Sequence, residues 1–258
     1  MSLILIDAGN SCLKLSIIES LEEEILDYYT LSYLNLYDEL LDVLQAEIVS
    51  RAIVCSVSNP QVYHTISDVV YKLWRIEPEQ IIVEQDHYGI STRYKNPRLL
   101  GADRWLAMIA AYNEFTDNLC VIDCGTAVTV DVLTDEGMHL GGLIVPGLQT
   151  SRDALGLKTN NLRFVENNNE NTNNKSSLLA NNTQDAIFGG TLYQLSAYIE
   201  RIVADIKQEF GDNTQCVITG GDAEQIQLLS IHQFHYREML VLEGLRIVAK
   251  QNINRDSL

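Results

Sequence analysis

Leu3-Ile-Leu-Ile-Asp7-Ala-Gly9-Asn10-Ser11 and Cys120-Val-Ile-Asp123-Cys-Gly125-Thr126-Ala-Val-Thr129 follow one pattern: an apolar strand, an aspartate, then a glycine turn with small hydroxyl or amide side chains. A buried strand that ends this way brings a carboxylate and a run of free backbone N–H groups to one point, the combination that a nucleotide phosphate and its cation require. A single turn of this kind is also how a solvated hairpin is made, because Asp, Gly, Asn and Ser are all ordinary turn residues. Two of the same form, near the start of each half, predict two related lobes facing a nucleotide.

The segments around these turns alternate between strand and helix. Leu3–Asp7 and Leu13–Ile18 form a hairpin across Gly9-Asn10; Asp38–Val49 has helical spacing, Ala52–Val57 is β-prone, Val62–Trp74 is helical and Gln80–Glu84 strand-like. Asp86–Arg98 reads as a polar, irregular stretch, and Leu99–Phe115 as a helix with one apolar face carrying Leu100, Trp105, Met108, Ile109 and Tyr112. The second half opens with strand Leu119–Asp123 and a return strand Val128–Leu133. Gly141-Gly142-Leu-Ile-Val-Pro146-Gly147 is a strand running into a tight turn, with a helix after it. Asn160–Asn182, crowded with asparagine, reads as a surface loop; Thr183–Phe210 is helical with Thr183 as N-cap, Gln215–Thr219 is a strand, and Leu240–Asn252 a last helix. The expected fold is α/β, with mixed sheets flanked by helices in two lobes, 1–117 and 118–258.

Composition narrows the partners. The 258 residues carry 35 acidic against 18 basic side chains, a net charge of −17. Such a charge repels a nucleic-acid backbone or an anionic membrane surface, while a small anionic ligand can bind at a locally prepared site. The five cysteines are odd in number and lack a C-x-x-C pair, so neither a disulfide framework nor a zinc ribbon is indicated. They read as reduced thiols in the cytoplasm. No apolar run approaches membrane-spanning length, and the opening one is interrupted by Asp7 with no basic segment before it, unlike a signal peptide.

Four constellations can carry chemistry. In Asp7-Ala8-Gly9-Asn10-Ser11-Cys12-Leu13-Lys14, Asp7 is placed to orient a hydrated Mg²⁺, Asn10 and Ser11 offer hydrogen bonds, and Lys14 meets phosphate charge. Asp123, with Thr126 beside it, suits a cation and a phosphate, and Asp131 adds another carboxylate nearby. In Gly101-Ala102-Asp103-Arg104-Trp105, Asp103 can accept a proton from an alcohol and Arg104 can hold an anionic group, both projecting into a cleft. A helix first turn or a surface ion pair would account for the same two residues. Thr219-Gly-Gly221-Asp222 lets a flat ligand such as adenine lie against the backbone, though Gly-Gly after a strand is also a common loop. His232 and His235 lack a carboxylate pattern and read as structural or surface residues.

Asp7-x-Gly-Asn-Ser-x-x-Lys14, Gly101-x-Asp-Arg104, Asp123-x-Gly-Thr-Ala-x-Thr129 and Gly141-Gly-x-Ile-x-Pro-Gly147, in this order, closely resemble the type III pantothenate kinases. The resemblance spans residue 3 to the glycines at 220–221 and implies the actin-like ATPase fold, in which two ribonuclease H-like lobes bracket ATP. It implies that Asp7–Lys14 bind ATP phosphates and the Mg²⁺ shell, that Thr126 contacts ATP, and that Asp123 holds a monovalent cation, potassium or ammonium. It further implies that Gly101, Ala102, Asp103 and Arg104 bind pantothenate with Asp103 as catalytic base. Tyr94 and Thr183 match positions that contact pantothenate, Thr183 across a homodimer interface. Ser11 stands where threonine is usual and Cys12 where histidine is frequent. The family also includes proteins first described as accessory factors in gene regulation, so a non-catalytic nucleotide-binding regulator is the competing expectation, with a kinase of another small alcohol as a third.

Overall fold

The structure, a computed structural model, describes residues 2–22, 25, 27–158 and 179–256. Its first sheet is built from β1 (Ser2–Ala8), β2 (Leu13–Ile18), β3 (Tyr29–Leu31), β4 (Val49–Ser56) and β5 (Glu79–Gln80), with α1 (Leu36–Leu44) and α2 (Pro60–Trp74) between strands. The strand order is β3-β2-β1-β4-β5. β1 pairs antiparallel with β2, Asp7 opposite Lys14, and parallel with β4.

A short hairpin follows, β6 (Asp86–His87) with β7 (Ile90–Thr92), then a 3₁₀ turn (Pro97–Leu99) and α3 (Ala102–Glu114). The second sheet adds β8 (Leu119–Cys124), β9 (Ala127–Leu133) and β10 (Met138–Pro146). After α4 (Leu148–Lys158) and α5 (Thr183–Phe210) come β11 (Gln215–Thr219), α6 (Ala223–Gln227), β12 (His235–Tyr236) and α7 (Leu240–Asp256). Its order is β12-β11-β8-β9-β10-β7-β6. Read from the other end, β10-β9-β8-β11-β12 repeats the first sheet's order, with the same antiparallel and parallel pairings. The two similar turns are therefore equivalent points of two similar sheets.

Strand alternation decides where the aspartates point. On β1, Ile4, Ile6 and Ala8 pack outward among α1 and α2, whereas Leu3 and Leu5 face a central layer. On β8, Cys120, Ile122 and Cys124 pack outward with residues of α5, whereas Leu119 and Val121 face the same central layer. Asp7 and Asp123 continue the inner rows. That layer is α3 and α7, whose close crossing needs Gly244, since a Cβ there would collide with the Leu106 backbone.

Several expectations are corrected. α3 lacks the single apolar face expected of Leu99–Phe115: Arg104 through Ala111 are all buried, because the helix lies between two sheets rather than on one. Asp86–Arg98 is irregular only in part, since β7 pairs with β10 and extends the second sheet. The strand expected at Gln80–Glu84 is reduced to β5. Thr183 is the first residue of α5 and not its cap; the Asn182 side chain accepts from the Asp185 N–H. Of the asparagine-rich Asn160–Asn182, residues 160–178 lie outside the described residues.

Candidate active site

The carboxyl ends of β1 and β8 and the first turn of α3 meet at a cleft of about 470 Å³. Asp7, Gly9, Asn10, Ser11, Cys12 and Lys14 line one wall, and Asp123, Gly125, Thr126 and Thr129 the other. Asp103 lies at the floor, and the backbone N–H of Arg104 donates to its Oδ1 at 2.8 Å. Gly101 leaves room for it, because a Cβ there would meet that carboxylate oxygen and displace it. Of the remaining turn residues, Ala8 and Leu13 are buried in the outer core and place the turn rather than face the cleft.

The turns touch across the cleft, where the Ser11 and Thr126 hydroxyls share a hydrogen bond of 2.6 Å. Beneath the first turn, the Tyr33 hydroxyl bonds the carbonyls of Gly9 at 2.5 Å and Cys12 at 2.9 Å. Beneath the second, the Gly147 N–H and the Thr150 hydroxyl donate to the Thr126 carbonyl at 3.0 and 2.6 Å.

Electrostatically the cleft calls for positive charge. Burial, reinforced by the Asp103 and Asp123 carboxylates, pushes Asp7 up to about 7. Burial, then Asp103, pushes Asp123 up to about 6. Burial also raises Asp103, against the lowering effect of its bond from the Arg104 amide. The Asp7 Oδ1 is shielded from solvent and has no hydrogen-bond partner, an arrangement that costs stability unless a cation or proton answers it. Among the described residues no three or more His, Cys, Asp or Glu side chains are grouped to hold a metal ion. The fit is to a cation that takes most of its ligands from phosphate oxygens and water.

Not every expected residue joins the cleft. Arg104 is buried away from it, with Nε and Nη2 on the two oxygens of Asp131 at 2.8 and 2.5 Å. Asp131 is thereby committed and adds no carboxylate to the cation region. The Arg104 Nη1 donates to the Tyr94 hydroxyl at 3.2 Å, which ties Tyr94 to the residue next to Asp103; Tyr94, Gly101, Ala102 and Arg104 are not among the residues that line the cleft. Thr183 is exposed in a separate surface depression between α4 and α5. His232 and His235 take Glu200 and Gln215 as partners.

The family profile described as Type III pantothenate kinase matches residues 3–205. The chain belongs to the type III pantothenate kinase family. A type III pantothenate kinase of Nitrosococcus oceani is 38% identical over 208 residues, covering 78% of this chain and 76% of that one. Another, of Idiomarina loihiensis, is 33% identical over 267 residues, covering 98% and 100%. Among solved structures, a Campylobacter jejuni protein described as a conserved Baf family transcriptional activator superposes with a TM-score of 0.58 at 22% identity, over 97% of this chain and 99% of that one. That likeness concerns the fold, which is the actin-like ATPase fold with two mixed sheets flanked by helices.

The cleft of this kinase also contains side chains without a signal in the sequence. Gln149, Thr150 and Asp153 enter from α4, and Glu238, Met239, Val241 and Leu242 from the segment opening α7. The tight Pro146-Gly147 turn, legible only as a turn with a helix after it, aims the start of α4 at the second Asp-x-Gly turn. Nothing local marks Glu238–Leu242, which reach the cleft only because α7 shares the central layer with α3. Thr219–Asp222 do line the cleft, Gly220 at φ +96° packing on the Cys124 backbone.

Proposed function

We propose a division of labour in this cleft for the family reaction, ATP-dependent phosphorylation of pantothenate, the first step of coenzyme A biosynthesis. Asp7 through Lys14 and Thr126 bind the ATP phosphates, and Gly101, Ala102, Arg104 and Tyr94 form the pantothenate wall. Asp103 accepts the proton of the pantothenate primary hydroxyl while its oxygen bonds to the γ-phosphorus and the bond to ADP breaks. The observation that carries this assignment is the meeting of the two inner strand rows with Asp103 at one floor. Burial supports the base role, since a carboxylate raised from its usual range is a better proton acceptor near neutral pH.

Mg²⁺, bound with the nucleotide, supplies charge neutralisation across the phosphate oxygens. Asp7, with its unpartnered Oδ1, is the residue suited to its hydrated shell. Asp123 is suited to a monovalent cation, potassium or ammonium. These positive charges also allow so acidic a chain to hold ATP.

Thr183 suits a role in a homodimer, delivered by a second copy to the pantothenate wall. Its exposure outside the cleft supports this, as do the exposed Phe188 and Tyr193 on α5 and Leu143 and Ile144 on β10. Residues 1–117 and 118–258 form the two lobes, β6–β7 being an arm of the first that adds to the sheet of the second. The kinase works in the cytoplasm, a placement supported by five free cysteines; no helix among the described residues is long and apolar enough to cross a membrane.

Phosphate transfer from ATP to pantothenate, measured with Mg²⁺ and potassium, tests the assignment. Asp103→Asn is expected to lower kcat by about 10²–10⁴-fold with pantothenate binding retained. Unchanged turnover would remove Asp103 from the base role.

A further inference from the structure

Behind the pantothenate wall lies a ring of hydrogen bonds that closes on itself. The Tyr94 N–H donates to Thr92 Oγ1 at 3.2 Å, and Thr92 Oγ1 meets His139 Nδ1 at 2.9 Å. His139 Nε2 meets Asp131 Oδ1 at 2.9 Å, Asp131 accepts the two bonds from Arg104, and Arg104 Nη1 donates back to the Tyr94 hydroxyl at 3.2 Å. The Tyr94 ring stacks on the His139 ring, centroids 5.6 Å apart at 22°.

One direction around the ring satisfies all of its partners. The Thr92 oxygen accepts from an amide and so has its own proton to donate to His139 Nδ1, which leaves Nε2 as the donor to the carboxylate. Every member of the ring then has a partner. Thr92, Asp131 and His139 are buried, His139 completely (0% exposed). Gly142 makes the space: a Cβ there would collide with Asp131 Oδ1 and lie 2.5 Å from Arg104 Nη2.

We propose that His139 is a positioning residue for pantothenate, acting through Asp131 on Arg104 and through ring stacking on Tyr94. This rests on the placement of pantothenate against Tyr94 and Arg104. A guanidinium held on two carboxylate oxygens can still swing with that carboxylate. His139 supplies the third bond that holds the carboxylate, while Thr92 ties His139 to the backbone of the residue whose hydroxyl Arg104 contacts. The ring therefore sets the separation of Arg104 and Tyr94 before substrate arrives, and lowers the ordering cost of binding. It does not touch the turns proposed for ATP.

Steady-state kinetics on three variants test this. His139→Leu, which removes both ring bonds, is expected to raise the KM for pantothenate about tenfold, as loss of one bond to a charged group does, with the KM for ATP within about twofold. His139→Gln can donate to Asp131 and accept from Thr92, and is expected to recover most of that loss; a purely space-filling role gives no such rescue. Should His139→Leu fail to fold by thermal melting, Thr92→Val, which deletes one hydroxyl at constant volume, is expected to raise the pantothenate KM about threefold. A folded His139→Leu or, in its place, Thr92→Val with an unchanged pantothenate KM, or with both KM values raised equally, overturns the proposal. Tyr94→Phe separates the two failures: unchanged pantothenate KM in that variant means that pantothenate does not sit at this wall, whereas a raised value beside an unaffected His139→Leu removes the ring alone.

Discussion

The two Asp-x-Gly turns are alike in sequence and in sheet position, yet they are supported in different ways. The first rests on the side chain of Tyr33, whose hydroxyl bonds two of its carbonyls, and on the Val57 N–H, which donates to the Ala8 carbonyl at 3.1 Å. The second is wedged from below by Gly147 and Thr150 at the start of α4, and the Asp222 N–H donates to the Cys124 carbonyl at 3.0 Å. Burial pushes both acids up, Asp7 to about 7 and Asp123 to about 6. The turns thus share a backbone bond from the neighbouring parallel strand's end and differ in the second support, a tyrosine hydroxyl beneath the first and the start of α4 beneath the second.

Exchanging the acids should separate the turns most sharply. Asp7→Asn is expected to lower kcat/KM for ATP by about 10²–10³-fold, the usual result of removing one electrostatic group from a reacting centre. The same substitution should raise the ligand-free melting temperature at pH 8. The folded state raises the Asp7 carboxyl from 3.8 to about 7, so between those values it binds more protons than the unfolded chain. Stability of the ligand-free protein therefore falls as pH rises through that window and levels off above about 7. Relief of even about 1 kcal/mol of this penalty shifts melting by about 2–4 °C in a chain of this size. Melts at pH 5 and 8 for wild type and variant decide it; a variant with the wild-type slope would place the penalty elsewhere.

Bracing is tested by Gly147→Ala. A Cβ there would collide with the Gly125 carbonyl oxygen, so the second turn or α4 must shift. Overpacking of this kind costs about 1–3 kcal/mol in urea unfolding. The smallest effect belongs to Tyr33→Phe, which deletes the side-chain brace of the first turn without changing its acids. The KM for ATP is expected to rise about two- to tenfold, with the pantothenate KM unmoved. Equal changes in both constants would mean that the first turn is not a separate mechanical unit.

The long elements were legible in the sequence because their periodicity is long. Thr183–Phe210 and Gln215–Thr219 were bounded at the residue, and the β1–β2 hairpin announced itself by its turn. β6 and β7 were not legible, because strands of two and three residues carry no alternation to read. α3 misled for a different reason: polar Arg104 counted against an all-round apolar helix, and only its partner on β9, 27 residues away, neutralises it. The same distance hid the true surroundings of Asp131, which local sequence placed beside Asp123. The cleft residues Asp7, Asp103 and Asp123 were legible as chemistry, but their convergence depends on the inner faces of two sheets and a helix between them. His139 had no signal at all, since a lone histidine on an alternating strand says nothing about what lies behind it.

The repeated strand order has an evolutionary corollary. A doubled sheet can furnish two matching acids to clasp a nucleotide, but symmetry alone cannot furnish a third group for the acceptor alcohol. On the proposed assignment that group is Asp103 of α3, a helix that lies in the chain between the strands of the two repeated sheet orders. On that assignment, nucleotide grip and acceptor choice are written in separable stretches of the gene. Redesign for another alcohol should concentrate on residues 86–104 and their buried backing on β9 and β10, leaving the duplicated turns as they are.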